Sequence, residues 1–259
     1  MFPDKIARGT IAFLGNVCKT KPDTDGTYTG LRRATEEAGI DLSVALPAVT
    51  KVSQIDSINR FAAQYQEPPV ISFGGIHPEC ENYKEILRQI RDMGLKGIKL
   101  HPDYQEMYFD DIRYKRLIAY ASELGLIVSV HAGKDPKCPD DVHCTPRMAL
   151  ELLKDVMPEK LVLAHMGGNE LWDEVEEYLV GQEVYFDTGV VLNRMPQEQF
   201  LRMVRIHGAD KILFATDSPW GAQKEFVEIL SAMPLASEEK EMIFSGNACR
   251  LLDILPNIS

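Results

Sequence analysis

Three short apolar segments each run into a side chain that can exchange a proton or hold a metal. Leu126 to Val130 leads into His131, Leu161 to Ala164 into His165, and Ile212 to Thr216 into Asp217. Neutral imidazole and carboxylate are common ligands of divalent cations, and a bound cation lowers the pKa of its water until hydroxide forms near neutral pH. A single buried histidine reads most simply as a hydrogen-bonded core residue. Three such groups at equivalent strand ends read instead as one shared cluster. His77, His101 and Asp187 close three further segments in the same way.

The elements that must position these groups are legible in the pattern. Seven apolar runs, at 41–49, 70–77, 97–101, 126–131, 161–165, 184–188 and 212–217, are rich in Val, Ile and Leu and too short for buried helices. They predict strands covered on both faces. Between them lie helical patterns, such as Tyr83, Ile86, Leu87, Ile90 and Met93, or Tyr114, Leu117, Ile118, Ala121 and Leu124. Gly39, Gly94 and Gly125 each precede an apolar residue, which suits a left-handed helix end that turns straight into the next strand. Repeated βα alternation implies a parallel sheet, and polar residues at six strand ends imply a closed barrel whose ends meet at one mouth. A TIM (β/α)8-type barrel needs eight strands. The chain opens with the loop and helix that would follow a first strand, from Phe2, Pro3 and Asp4 into Ile6 to Leu14, so strand one is expected to be missing.

Composition narrows the function classes. The 259 residues carry 28 Lys and Arg against 39 Asp and Glu, a formal charge of -11. That field repels phosphate backbones and anionic membranes, so neither nucleic acid nor membrane is expected as a partner. The five cysteines are scattered and odd in number, which fits a reducing cytoplasm rather than a disulfide framework. No apolar run is long enough to span a bilayer, and no linker divides the chain, so one domain over 1–259 is expected.

The segments GGIHPE (74–79), GIKLHPDYQ (97–105), VSVHAG, LAHMGG, TDSPW (216–220) and SGNACRLL (245–252) together resemble the amidohydrolase-related family of metal-dependent TIM-barrel proteins. That family includes hydrolases and the non-oxidative decarboxylases related to aminocarboxymuconate semialdehyde decarboxylase. The resemblance implies that His131 is a metal ligand, that Asp217 is both a ligand and the acid or base for metal-bound water, and that His165 is a ligand or orients that water. Members also carry a His-x-His pair on strand one, followed by a segment like Phe-Pro-Asp-Lys. Here Met1-Phe2-Pro3-Asp4-Lys5 opens the sequence, so both of those ligands are expected to be absent. Pairing across the resulting gap would favour a homodimer.

Other residues take smaller parts. Lys99 and His101, two apart on one strand, face the same side and are read as substrate-binding. Arg147, beyond the polar segment 133–146, is read as a partner for a substrate carboxylate, and Trp220 as a wall of the pocket. Cys138, His143 and Cys144 have the spacing of no closed zinc site. The Asn247 to Leu252 segment is read as structural.

The function expected from these readings is metal-dependent hydrolysis of a small amide, ester or lactone, with zinc as the first choice of metal and manganese or iron suited to the same donors. The alternative is a carboxy-lyase of the same family. An inactive truncated form and a TatD-like deoxyribonuclease are further rivals, the second opposed by the charge and by the LAHMGG and KLHP segments.

Overall fold

The computed structural model describes residues 1–255. The chain begins with helices α1 (Asp4–Cys18) and α2 (Tyr28–Glu37), then strand β1 (Ser43–Ala45) and helix α3 (Ile55–Ala62). Strands β2 (Gln66–Glu67), β3 (Val70–Ser72) and β4 (Gly74–Gly75) precede α4 (Tyr83–Asp92). The alternation continues through β5 (Gly97–Leu100), the short α5 (Pro102–Gln105), α6 (Ile112–Glu123), β6 (Ile127–Val130), α7 (Pro146–Val156), β7 (Leu161–Leu163), α8 (Trp172–Tyr178), β8 (Tyr185–Asp187), α9 (Gln197–His207) and β9 (Ile212–Leu213). Helices α10 (Gln223–Ala232), α11 (Ser237–Glu241) and α12 (Asn247–Leu252) follow, the last two joined by one wide helical turn at Met242–Gly246.

All seven expected strands are present, in chain order. Strands β4 to β9 form a parallel sheet of six, and β1 pairs in parallel with β3. The run at 70–77 is one path split between the two ladders: Phe73 N–H still donates to Ala45 O (2.9 Å), whereas Gly74 and Gly75 pair with β5. Strand β2, which the sequence pattern does not reveal, pairs antiparallel with β3. At the split the Asn59 side chain stands in for a strand, donating to Gly75 O (3.0 Å) and accepting from Gly75 N–H (2.8 Å).

Two apolar clusters show that this array curves. One packs the outward faces of the strands, including Ile98, Leu100, Val128, Val130, Leu161, Leu163, Phe186 and Ile212, against the helices. The other joins Val44, Ile71, Phe73, Ile127, Val162, Tyr185 and Leu213 with Leu251 and Leu252 of α12. Alternate residues of a strand face opposite sides, so this second cluster is the inside of a barrel with α12 under its floor. Gly97 leaves room for it, since a Cβ there would lie 2.6 Å from the Phe73 ring.

Among the described residues β1 and β9 share no ladder, as expected for a barrel short of one strand. Side chains bridge that gap: Gln223 of α10 donates to Ser43 Oγ (3.0 Å), and Thr35 of α2 lies 2.8 Å from the same hydroxyl. The helix ends follow the glycine reading. Gly39, Gly94 and Gly125 all have φ between 68° and 80°. The residue after each donates back into its helix, as Leu126 N–H does to Ala121 O (3.0 Å), the paired bonding of a Schellman end. Asn247 ties the last helix to the barrel through Ala209 O (2.8 Å) and Ile212 O (2.7 Å), which agrees with a structural role for its segment. No helix among the described residues is long and apolar enough to cross a membrane.

Candidate active site

Strand register determines which side chains meet at the mouth. Lys99 is paired with Ser129, so both point inward, and His101 and His131 continue the same inward faces one step further. His165 breaks this rule. Leu161 and Leu163 face outward, so simple alternation would send His165 to the helices. Instead His165 and Met166 take left-handed backbone (φ 61° and 53°), and the ring turns into the mouth. Asp217 is also left-handed (φ 58°). Such conformations cost of order 1–3 kcal/mol each and persist where the surrounding structure imposes them, commonly at functional sites.

The histidines form a directed chain. His165 Nδ1 lies 2.9 Å from Gly189 O, and a carbonyl can only accept, so Nδ1 carries the proton. In the neutral ring Nε2 is then bare and accepts from His131 Nδ1 at 3.1 Å. His131 in turn presents a bare Nε2. That atom is buried without a hydrogen-bond partner among the described residues. It faces Asp103 Oδ2 at 3.7 Å and Asp135 Oδ2 at 3.9 Å. A lone pair aimed at two carboxylates is unfavourable unless a cation or proton lies among them.

His101 lies parallel to His131, with ring centroids 4.1 Å apart, and Tyr104 covers its other face at 3.8 Å. Its Nε2 is 3.8 Å from Asp135 Oδ2. Burial drives the pKa of His101 and His131 well below the usual histidine range, so both rings are neutral and available as ligands. Burial also pushes the Asp135 carboxyl up to about 6 and raises Asp103, which is wholly enclosed.

Among the described residues two groups of three have ligand atoms within 4.8 Å of one another: His101, His131 and Asp135, and Asp103, Cys138 and His143. The expected set of His131, His165 and Asp217 is placed differently. His131 and His165 touch, whereas His165 and Asp217 belong to neither group. Gly189 brings them near each other. A Cβ on it would lie 3.2 Å from Asp217 Cβ and 3.3 Å from His165 Nδ1. Asp217 is open to the solvent of the mouth, and its carboxyl is raised by the surrounding protein against the pull of His165 and Lys99. Asp187 holds this corner by accepting from the backbone N–H of His165 (2.9 Å) and Gly189 (3.0 Å).

Lys99 is buried, and among the described residues its ammonium makes one side-chain hydrogen bond, a long one to Ser129 Oγ (3.4 Å). Among the described residues no carboxylate lies within 4.0 Å of its ammonium. Trp220 is half-buried and packs near Gly15 of α1. Arg147 is exposed on the first turn of α7, where its charge acts on Tyr178, away from the histidines. His77 is buried at the end of β4, near Glu79.

The sequence reading did not single out Asp103, Asp135 or Tyr104. Two of them had a signal: Asp103 follows His101 by two and Asp135 follows His131 by four, close enough for a tight turn to fold each carboxylate back over its histidine.

A sequence-family profile described as amidohydrolase matches residues 25–254. The chain belongs to the amidohydrolase family. Solved structures share the fold of this amidohydrolase at low identity. A 2,6-dihydroxybenzoate decarboxylase from Rhizobium matches with a TM-score of 0.71 and 18% identity over 88% of each chain. An uncharacterised TIM-barrel protein from Bordetella bronchiseptica matches with 0.74 and 20% over 97% of this chain and 95% of its own. A dihydroxybenzoic acid decarboxylase from Polaromonas, with bound manganese and an inhibitor, matches with 0.69 and 16% over 97% and 94%. None of the curated proteins matches the chain in sequence.

Proposed function

We propose that this amidohydrolase is a metal-dependent carboxy-lyase that removes CO2 from a small carboxylated ring or dienoate. The observation that carries the reading is Lys99. Burial lowers its pKa while the Asp187 and Asp217 carboxylates, both beyond ion-pair distance, pull it back up, and a substrate carboxylate entering the mouth would supply a directly paired anion that holds it as ammonium. Amide, ester or lactone hydrolysis, the first expectation from sequence, makes no such demand. The decarboxylases among the similar folds support the same choice.

The donor set fits a divalent metal, because the bare, unpartnered Nε2 of His131 already faces carboxylate oxygens. His131, His101 and Asp135 would hold it, and when bound it would supply positive charge against the substrate's oxygens. Manganese and zinc both accept this mix of imidazole and carboxylate, zinc with the higher intrinsic affinity. His165 fixes the His131 ring and its tautomer. Lys99 orients the substrate's carboxylate. Asp217 is assigned as the acid: the bond from substrate carbon to carboxyl carbon breaks, CO2 leaves, and the electron pair left on carbon takes the proton of the Asp217 carboxyl, which water then restores.

Product analysis tests the reading. The chain loaded with manganese or zinc should release labelled CO2 from hydroxylated aromatic acids labelled at the carboxyl group. Release of an amine or alcohol from an amide or ester panel, with no labelled CO2, would return the assignment to hydrolysis.

A further inference from the structure

In the second group of donors, Asp103, Cys138 and His143, neither Cys138 nor His143 has a part in the reaction proposed above, and Asp103 lies between them and His131. Asp103 belongs to α5, just after β5, whereas Cys138 and His143 lie in the long segment after β6. The fold brings them together so that one ligand atom from each lies within 4.8 Å of the others.

The group is poorly satisfied as it stands. Asp103 is fully buried. Its Oδ1 accepts from His143 N–H at 3.3 Å and lies 3.1 Å from His143 Nδ1. Its Oδ2 has no hydrogen-bond partner among the described residues and faces His131 Nε2 at 3.7 Å, toward the centre described above. The Cys138 thiol reaches only Asp103 O, at 3.9 Å. With Oδ2 turned toward His131, the donors left to this group are Asp103 Oδ1, the His143 ring and the weakly held Cys138 sulfur. The chemistry of the donors selects the cation. Oxygen-only sites suit magnesium or calcium, whereas one carboxylate, one imidazole and one thiolate suit zinc or cobalt.

We propose that Asp103, Cys138 and His143 form a site for a thiophilic divalent metal, zinc in the first instance, next to the centre on His131, toward which the other oxygen of Asp103 points. On binding, the Cys138 thiol gives its proton to solvent and its sulfur becomes the third protein ligand, with a further position left for water. The metal fastens the segment between Gly133 and Thr145 to the start of α5, across the edge of the mouth. Backbone bonds already pin the ends of that segment, through Gly133 N–H to Cys144 O (2.9 Å) and Phe109 N–H to His143 O (2.8 Å). Cys138 lies between these anchors, so the metal would tie down the stretch they leave. Cys144, adjacent in sequence to His143, is outside the group and packs in the core.

Titration of the metal-free full-length chain with cobalt(II) tests the site. A thiolate-to-cobalt charge-transfer absorption should rise and saturate at one thiolate per chain, vanish in Cys138→Ser, and persist in Cys144→Ser. Absence of the thiolate band, or a band that survives Cys138→Ser, would overturn the proposal. The band reports on sulfur ligation alone, so its failure leaves the carboxy-lyase reading intact, and the converse also holds.

Discussion

Nε2 of His165 lies 3.1 Å from Nδ1 of His131. Gly189 O accepts a hydrogen bond from His165 Nδ1–H, so the pair has only one neutral arrangement, with His131 Nε2 bare. We assign His165, expected as a ligand or an orienting residue, the orienting role. His165→Leu should fold and still keep His131, yet lose the tautomer lock. Metal affinity, measured by competition with a chromophoric chelator, should fall on the order of 10- to 100-fold. Unchanged affinity would mean that His165 does not position His131.

Gly189 is required by the space around it. A methyl group there would press on Asp187 Oδ1, Asp217 Cβ and His165 Nδ1, all within 3.3 Å. Gly189→Ala should therefore destabilise the chain by about 1–3 kcal/mol in urea unfolding and reduce turnover further by displacing His165. A variant with native stability and turnover would contradict this packing.

Gln105 ties three strand ends to one helix. Its amide donates to Val49 O (2.9 Å) and Ile76 O (2.8 Å), while its oxygen accepts from Tyr114 Oη (2.7 Å) and His101 N–H (3.2 Å). All of this is buried. Gln105→Leu strands those groups and should cost about 2–4 kcal/mol by chemical denaturation. A loss below about 0.5 kcal/mol would show that the network does not carry the stability assigned to it.

His207 sets an acid limit on stability. Its Nδ1 accepts from Gly181 N–H (3.0 Å), its Nε2 donates to Val184 O (2.9 Å), and burial lowers its pKa from 6.5 to about 4. The folded pKa is depressed, so the unfolded chain binds more protons between these values. Stability is full above pH 6.5, falls as pH drops toward 4, and is flat in this residue below that. The whole loss is about 3 kcal/mol. Urea midpoints of the native chain and of His207→Gln, compared between pH 7 and pH 4.5, should converge toward the acid side. Parallel pH dependence in the two would rule His207 out as the cause.

Much of the fold was legible because its cause is local. Apolar runs without alternation mark strands covered on both faces, and Gly39, Gly94 and Gly125 mark helix ends through a conformation that glycine adopts freely. Strand β2 was not legible: Gln66 and Glu67 have no strand pattern and owe their pairing to β3. The site was legible in part. His101, His131 and Lys99 follow from strand register, so spacing reveals them. His165 reaches the mouth only through a left-handed turn that no periodicity reports. Asp103 is brought in by the short helix α5 and Asp135 by a loop, and Arg147, read as a carboxylate partner, points outward because it lies on the first turn of a helix whose apolar face is already buried.

Carboxylate capture by Lys99 is the central claim, and release of labelled CO2 by the native chain and by Lys99→Met tests it most directly. The account predicts that the metal-loaded native chain releases the label and that Lys99→Met, with its metal content unchanged, shows KM raised on the order of 10- to 100-fold. Labelled CO2 released equally by both, or by neither while amides or esters are cleaved, would contradict it.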